Sequence, residues 1–435
     1  DNSYGTMPDN CVVEPLPHIL KSFKDSADSP APFVWLYPVK EYTHTKDEHN
    51  LNAMFFLDWM FTDAVNNSFP MSSVISTDNF NIVDKNIFKD SVVVSPIPYP
   101  NTEWENSVID YIVNGGKIIL VGGLDNASEK IRDLLKIGIV SETKIEEFAL
   151  DGSPVKDTAK IENYSDKLIV AKLENAGYLN TVDLEKDSKN VIVTKDGYLV
   201  GKGKNNVFWY RGVMSGKYTP GSALMCFSAE NERVSGGALM RVAARYFGWD
   251  ICLEKPEASS LSPIMTIIKK NNGFLFSTCF PDTTVGMSLR TPYGAPLMIG
   301  YETVYKNGMT HYRFPRAEHR ECRIFIEKCD DSVISCREMF PGELGPQERG
   351  RRRISITGLK NATVRYFPEK YAIGKCWALM SEPNDRYTAD FSHKVTLVQD
   401  GDSYVAENVT GIMVVYMPDY DGWEKKYVAE ASKFD

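Results

Sequence analysis

The sequence predicts an α/β domain built on a mostly parallel sheet, followed by an all-β sandwich. Three observations predict it. Between residues 33 and 121, short and wholly apolar runs alternate with segments of helical spacing, as in strands covered on both faces by crossover helices. From about residue 254 the apolar runs become short and closely spaced, and turn residues rather than helices separate them; that is sandwich patterning. The composition, 43% hydrophobic and 25% charged over 435 residues, is globular, and roughly 100–200 residues per domain gives about two to four domains.

Residues 1–32, rich in Pro, Asp and Ser, read as a linker segment. Phe33-Val34-Trp35-Leu36-Tyr37 is an apolar run stopped by Pro38, and Leu51–Val65 follows with helical spacing. Ser73–Ser76 and Ser91–Ser95 read as strands bounded by turn residues. Trp104–Val113 has helical spacing through Trp104, Val108, Tyr111 and Ile112, and stops at Asn114-Gly115-Gly116 before the strand Lys117–Val121. Residues 124–200 are more polar, with strands expected at Leu168–Val170 and Val191–Val193, and read as an insertion. Val207–Tyr210 and Ala223–Phe227 close the α/β pattern. A helix from Gly236 to Phe247 then ends at Gly248, a residue suited to the C-cap. The α/β domain therefore spans 33–253.

Beyond it, strands are expected at Ile264–Ile268, Phe274–Ser277, Val285–Leu289 and Cys322–Ile326, with turns at Asn271-Asn272-Gly273 and Thr291–Gly294. Cys322–Ile326 and Ser332–Cys336 read as two strands of one hairpin, turned at Asp330–Ser332. An Arg-rich break at Gly342–Arg353 divides a sandwich at 254–345 from a second β-rich domain at 346–435.

Charge and cysteine usage bound the function. The net charge of −9 argues against nucleic acid or an anionic membrane as partner, and no run of about 18 apolar residues exists to span a bilayer. Eight cysteines lack any CxxC pairing. The seven-residue spacing of Cys322, Cys329 and Cys336 invites a metal cluster, but their strand context favours buried thiols or one disulfide. A reducing, cytoplasmic setting is slightly favoured, and neither metal nor cofactor is expected. The chain opens Asp1-Asn2-Ser3-Tyr4, without an initiator Met or a signal pattern, and reads as a piece of something longer.

The α/β segment lacks the usual nucleotide and nucleophile motifs. Val121-Gly122-Gly123-Leu124 is neither GxGxxG nor a P-loop, and no G-x-S-x-G or G-x-C-x-G elbow follows a strand. On these residues a resemblance can be stated. Trp104-Glu105-Asn106-Ser107-Val108-Ile109-Asp110-Tyr111-Ile112-Val113-Asn114-Gly115-Gly116-Lys117-Ile118-Ile119-Leu120, the Phe55–Trp59 stretch and the Leu239–Trp249 helix resemble the class I glutamine-amidotransferase-like (trimerisation) domain. That domain follows the TIM barrel in β-galactosidases and β-galactoside phosphorylases. The segment after Leu253 is similar to the family's C-terminal sandwich. The resemblance implies a degenerate amidotransferase-like sheet without its nucleophile, a carbohydrate ligand, and a homo-oligomer or association with an upstream catalytic barrel. The barrel and its paired carboxylates are not among these residues, so no catalytic role carries over.

Two polar constellations remain. Thr310–Arg323, with Glu302 nearby, holds two His, four Arg and two carboxylates in fourteen residues. Glu302, Glu318, His319 and Glu321 are candidates for acid–base work, and His311, Arg313 and Arg316 for ligand contact. The alternative is a charged loop leading into a buried strand by simple alternation. The second constellation, Tyr37, Glu41, His44 and His49, follows the first strand, where open α/β sheets collect ligands; a polar helix cap is the competing reading. Three functions follow: a non-catalytic C-terminal half of a TIM-barrel glycoside hydrolase or phosphorylase, a self-sufficient glycosidase using the 302–323 region, or a ligand-binding protein with a degenerate amidotransferase fold.

Overall fold

The computed structural model describes residues 27–43, 64–65, 68–121, 127–135, 137–143, 147–150, 157–160, 168–173, 192–194, 197–200, 206–210, 236–254, 264–279, 284–315, 317–339, 351–381 and 393–418. It divides into an α/β unit (Ser29–Gly248 with Glu254–Ile267) and a β unit (Asp1–Asp28, Trp249–Leu253 and Ile268–Asp435). The expected fold class, a mostly parallel α/β sheet followed by a large antiparallel β region, is the one the chain adopts. The expected helix at Leu51–Val65 lies outside the described residues except at 64–65, and the strand at Ala223–Phe227 lies wholly outside them.

The α/β unit is built on β1 (Phe33–Tyr37), β2 (Ser73–Ser76), β3 (Val92–Pro96) and β4 (Ile118–Val121). The insertion contributes β5 (Ile137–Thr143), β6 (Glu147–Leu150), β7 (Asp157–Lys160), β8 (Leu168–Leu173), β9 (Ile192–Thr194) and β10 (Gly197–Val200) before β11 (Val207–Tyr210). The main sheet runs β2-β1-β3-β4-β11-β10-β9. Its first five strands are parallel, and β10 and β9 add to it antiparallel. β5 pairs with β8 and β6 with β7, outside the main sheet. Strands β3 and β4 are buried throughout, which is why each is a continuous apolar run rather than an alternating one.

Helices α1 (Val39–Thr43), α2 (Thr77–Ile82), α3 (Glu103–Val113), α4 (Glu129–Leu135) and α5 (Gly236–Tyr246) accompany the sheet. α3 shows why its residues form a helix. Thr102 caps it, accepting from Glu105 N at 3.1 Å, and Glu103 and Glu105 place negative charge in its first turn. Trp104, Val108, Tyr111 and Ile112 form its buried stripe, packed with Val34, Leu36, Phe80, Val93 and Ile118. It ends with Gly116 N donating to Tyr111 O at 2.8 Å, a Schellman-type closure. Asn206, about ninety residues on, donates from Nδ2 to Ile112 O (2.8 Å) and Gly116 O (2.7 Å), pinning this end of α3 to the start of β11.

The β unit comprises β12 (Asp250–Glu254), β13 (Ile264–Lys270), β14 (Gly273–Cys279), β15 (Val285–Arg290), β16 (Ala295–Met298), β17 (Tyr301–Lys306), β18 (Met309–Phe314), β19 (Ala317–Lys328), β20 (Ser332–Met339), β21 (Arg351–Tyr366), β22 (Trp377–Ser381), β23 (His393–Val395), β24 (Val398–Asp400) and β25 (Ser403–Pro418), although the first residues of β13 cluster with the α/β unit. The main path runs β12-β15-β18-β17-β20-β21-β19-β14-β13, with β25 on β21. The β17–β18 hairpin closes on Asn307-Gly308, both at positive φ (53° and 78°), the backbone of a type I′ turn. β21 and β25 pair along most of their 16-residue lengths, with irregularities between Thr357 and Val364. Gly358 sits there at φ +85°, and a Cβ on it would lie 2.0 Å from Val333 O. Only glycine suits both the conformation and the approach.

One expectation changes on contact with this topology. Cys322–Ile326 and Ser332–Cys336 are strands, within β19 and β20, but they are not hairpin partners. β21 lies between them, pairing with β20 through Ile354–Thr357 and with β19 through Thr363–Tyr366. The intervening turn instead ties to β21, with Asp330 N donating to Lys360 O. The same pairing makes β21 the strand that joins β19 to β20. Ile324, Ile326, Ile334, Ile354, Ile356, Val364, Met413 and Val415 form one hydrophobic core. Cys336 belongs to this core, and it and Cys322 are buried as free thiols, both pushed up by burial, Cys336 to about 12.

Candidate functional site

The parallel sheet creates the first candidate location through its connections. From β1 the chain passes to β2 on one side, and from β3 to β4 on the other, so the order reverses between β1 and β3. At such a switch point the loops leaving adjacent strands diverge and open a crevice at the carboxyl edge. Tyr37 is the last residue of β1 and half-buried. Glu41, on α1, is half-buried and its Oε2 accepts the Thr77 hydroxyl proton at 2.8 Å. Its neighbour Lys40 pairs with Asp78 at 3.4 Å, both largely exposed, so the two contacts tie α1 to the start of α2. His44 and His49 lie outside the described residues.

On the neighbouring strand, the segment after β3 is held tightly. Thr102 donates to Tyr99 O at 2.7 Å, and Glu105 turns back so that its Oε2 accepts from Asn101 N at 2.7 Å. Asn101 is exposed and left-handed at φ 62°, whereas Glu105 is only 2% exposed. The other carboxylate oxygen of Glu105, Oε1, is buried without a hydrogen-bond partner among the described residues. Glu105 was not among the sequence candidates. Its signal was the Thr102-Glu103-Trp104-Glu105 spacing, a capping-box pattern, which says how the helix begins but not that half the carboxylate is left over.

In the β unit the second constellation is spread over several surfaces. β19 alternates its side chains, so Glu318 and Arg320 share one face and His319, Glu321 and Arg323 the other. Glu318, 8% exposed, accepts from Arg320 Nε at 2.8 Å. Arg320 lies over the Tyr301 ring at 5.1 Å. Burial raises the Tyr301 hydroxyl pKa, Glu318 adds to the rise and Arg320 opposes it. On the other face His319, 3% exposed, meets Ser277 with its Nδ1 2.6 Å from the hydroxyl oxygen. Glu321 accepts from Arg323 Nε. The Arg323 side chain is 4% exposed, donates to Asn271 O at 3.2 Å and Phe367 O at 3.1 Å, and stands 3.9 Å from Glu369. These pairs hold strands and loops together.

Glu302, His311 and Arg313 fall on a different surface. In the β17–β18 hairpin Val304 faces His311, so continuing the register two residues sets Glu302 across from Arg313, and both are exposed. His311 has Nδ1 2.6 Å from Ser288 Oγ and Nε2 3.3 Å from Lys306 O. A proton on Nε2, shared with that carbonyl, leaves Nδ1 to accept from Ser288. Arg316 lies outside the described residues. The structure thus brings Glu302, His311 and Arg313 to one face, and on β19 it separates Glu318 from His319 and Glu321, which share the opposite face. Ser277 and Ser288, the partners of the two histidines, were not singled out from sequence because cross-strand register is invisible there. Among the described residues, no group of three or more His, Cys, Asp or Glu side chains is placed to hold a metal ion, and no helix is long and apolar enough to cross a membrane.

No protein-family model matches the chain, and no curated protein matches it. Among solved structures, an exo-β-1,4-mannosidase from Opitutaceae bacterium strain TAV5 aligns over 42% of this chain and 31% of its own, at 9% identity and a TM-score of 0.31. An exo-carrageenase, GH42, from Bacteroides ovatus aligns over 71% and 30%, at 12% identity and a TM-score of 0.27. A ThuA-like protein from Parabacteroides merdae ATCC 43184 aligns over 49% of this chain and 89% of its own, at 13% identity and a TM-score of 0.30. The chain therefore spans about a third of the length of the first two. All three scores fall short of a shared fold, and each is a partial likeness and nothing more.

Proposed function

We propose that this chain serves carbohydrate metabolism as the non-catalytic part of a glycoside hydrolase or phosphorylase, supplying oligomer contacts and part of the wall of a sugar site. One observation carries the reading over that of a self-sufficient glycosidase. Glycosidic cleavage by the usual route needs two carboxyl groups facing one bond from about 5–10 Å apart. Glu318 and Glu321 point to opposite faces of β19, and each is bound to an arginine two residues on. Each carboxylate is thus taken up by an ion pair within its own strand and does not face the other across a cleft. The α/β unit, with its sheet open at the carboxyl edge, is the part suited to hold a sugar.

The test uses the full chain. Retention on immobilised galactosides or mannosides without turnover of the corresponding nitrophenyl β-glycosides, together with a sedimenting species larger than one chain, is the expected result. Turnover that Glu318→Gln or Glu321→Gln abolishes would overturn the reading in favour of a self-sufficient enzyme. A monomer without saccharide affinity would overturn it altogether.

A further inference from the structure

We infer that the carboxyl edge of the parallel sheet, where β3 passes into α3, is a binding site for a neutral, hydroxyl-bearing ligand of the saccharide class, with Glu105 Oε1 as its hydrogen-bond acceptor. The inference deepens the carbohydrate reading above and rests on it for the ligand class. The location and the acceptor rest on the structure.

Three independent features meet at this edge. The topological switch between β1 and β3 places it where open α/β sheets bind ligands. The 11-residue helix α3 begins there, and its cap uses the N–H of Glu105, the third helical position, so the N–H groups of the first two positions face the same end. Glu105 is only 2% exposed, yet its Oε1 has no hydrogen-bond partner among the described residues. A buried acceptor left unpaired costs free energy until a donor reaches it, and the described residues supply none. Asn101 is exposed and bonds the companion oxygen, so the carboxylate lies one residue beneath the surface of this edge.

The chemistry of the ligand follows from the groups present. An ionised carboxylate only accepts hydrogen bonds, whereas the backbone N–H groups at a helix start only donate. A hydroxyl group does both, so one hydroxyl can bridge the two. Phosphate or carboxylate ligands, which a bare helix N-terminus would attract, are disfavoured by Glu103 and Glu105 in the first turn and by Glu41 beyond β1. A polyhydroxylated, uncharged ring is what remains.

The experiment titrates the full chain with methyl β-galactoside and methyl β-mannoside, with inorganic phosphate as the anionic comparison, and follows affinity by ligand-observed NMR. Amide exchange maps protection. Glu105→Gln keeps an oxygen for Asn101 N–H but sets an NH2 where the hydroxyl proton would go. A hydrogen bond to a charged acceptor corresponds to about a 10- to 100-fold loss in affinity, and that loss is expected with at least one of the two glycosides. Protection at residues 97–106 in the unaltered chain, produced by glycoside and not by phosphate, is the companion result and does not depend on how the variant folds. Glycoside binding that Glu105→Gln leaves unchanged, or protection elsewhere only, would overturn this site while leaving the carbohydrate reading intact. Binding of phosphate at 97–106 would overturn the ligand class. Absence of any glycoside binding would overturn both.

Discussion

Replacing Arg323 with Met tests the argument that the charged cluster on β19 holds the β unit together. The substitution keeps the length of an apolar stem while deleting every donor. Two backbone carbonyls, Asn271 O and Phe367 O, lose their donor, at about 1–3 kcal/mol each for a buried acceptor left unpaired. Glu321 loses its partner too, but at 25% side-chain exposure it recovers part of its hydration, and it is discounted accordingly to under about 1 kcal/mol. The sum is about 4 kcal/mol, in the range measured for breaking a buried ion pair from one side. That corresponds to about a thousandfold in an opening equilibrium. Native-state hydrogen exchange on the full chain reads this locally, where a chain of two units makes a global unfolding free energy ill-defined. Peptides covering Phe274–Thr278 and Ala317–Ile326 should lose about three orders of magnitude of protection, while Val92–Pro96 keeps its own. Arg323→Met with Glu321→Gln should recover part of the loss, since the stranded charge is removed. A change under tenfold in the single variant would refute the reasoning, because the carbonyls would then have been satisfied without the guanidinium.

Two further outcomes follow from the same physics. Asn206→Ala removes two hydrogen bonds that tie the end of α3 to β11; about 2 kcal/mol of local stability should disappear from exchange in Tyr111–Val121, and a loss below about 0.5 kcal/mol would show that solvent replaces the amide. Alkaline stability should depend on two thiols, the buried Cys336 and the half-buried Cys376. Burial raises Cys336 and Cys376 from 9.0 to about 12, so between those values the folded chain holds protons that the unfolded chain has released. Stability from these groups is complete below about pH 9 and falls above it by about 1.4 kcal/mol per pH unit for each thiol. The urea midpoint should therefore drop between pH 9 and 10.5, and less steeply in Cys336→Val with Cys376→Val. Equal slopes would assign the alkaline loss elsewhere.

How far the residues alone reach is clearest at α3 and on β19. The stripe Trp104, Val108, Tyr111, Ile112 and the Asn114-Gly115-Gly116 stop are local signals, and the helix they imply is present as Glu103–Val113. Strands β3 and β4 were equally legible, because burial on both faces writes a continuous apolar run into one short stretch. The β19–β20 connection was not. Its two apolar runs and acidic turn look like a hairpin from within, and only the insertion of β21, supplied from some twenty residues downstream, decides otherwise. The candidate sites divide in the same way. Residue types placed Glu318, His319 and Glu321 side by side, but the two-residue period of a strand sends neighbours to opposite faces, and arginines at matching spacing take up the carboxylates.

What the sequence determined by itself is the succession of a mostly parallel α/β sheet and an antiparallel β region, since hydrophobic periodicity and turn residues act over a few positions. What only the tertiary structure decided is which groups meet. The switch between β1 and β3, the pairing of Ser288 with His311, and the burial that leaves Glu105 Oε1 unpaired among the described residues all depend on how distant elements pack. That is set by burying distant apolar faces together, and no local stretch of sequence carries that information.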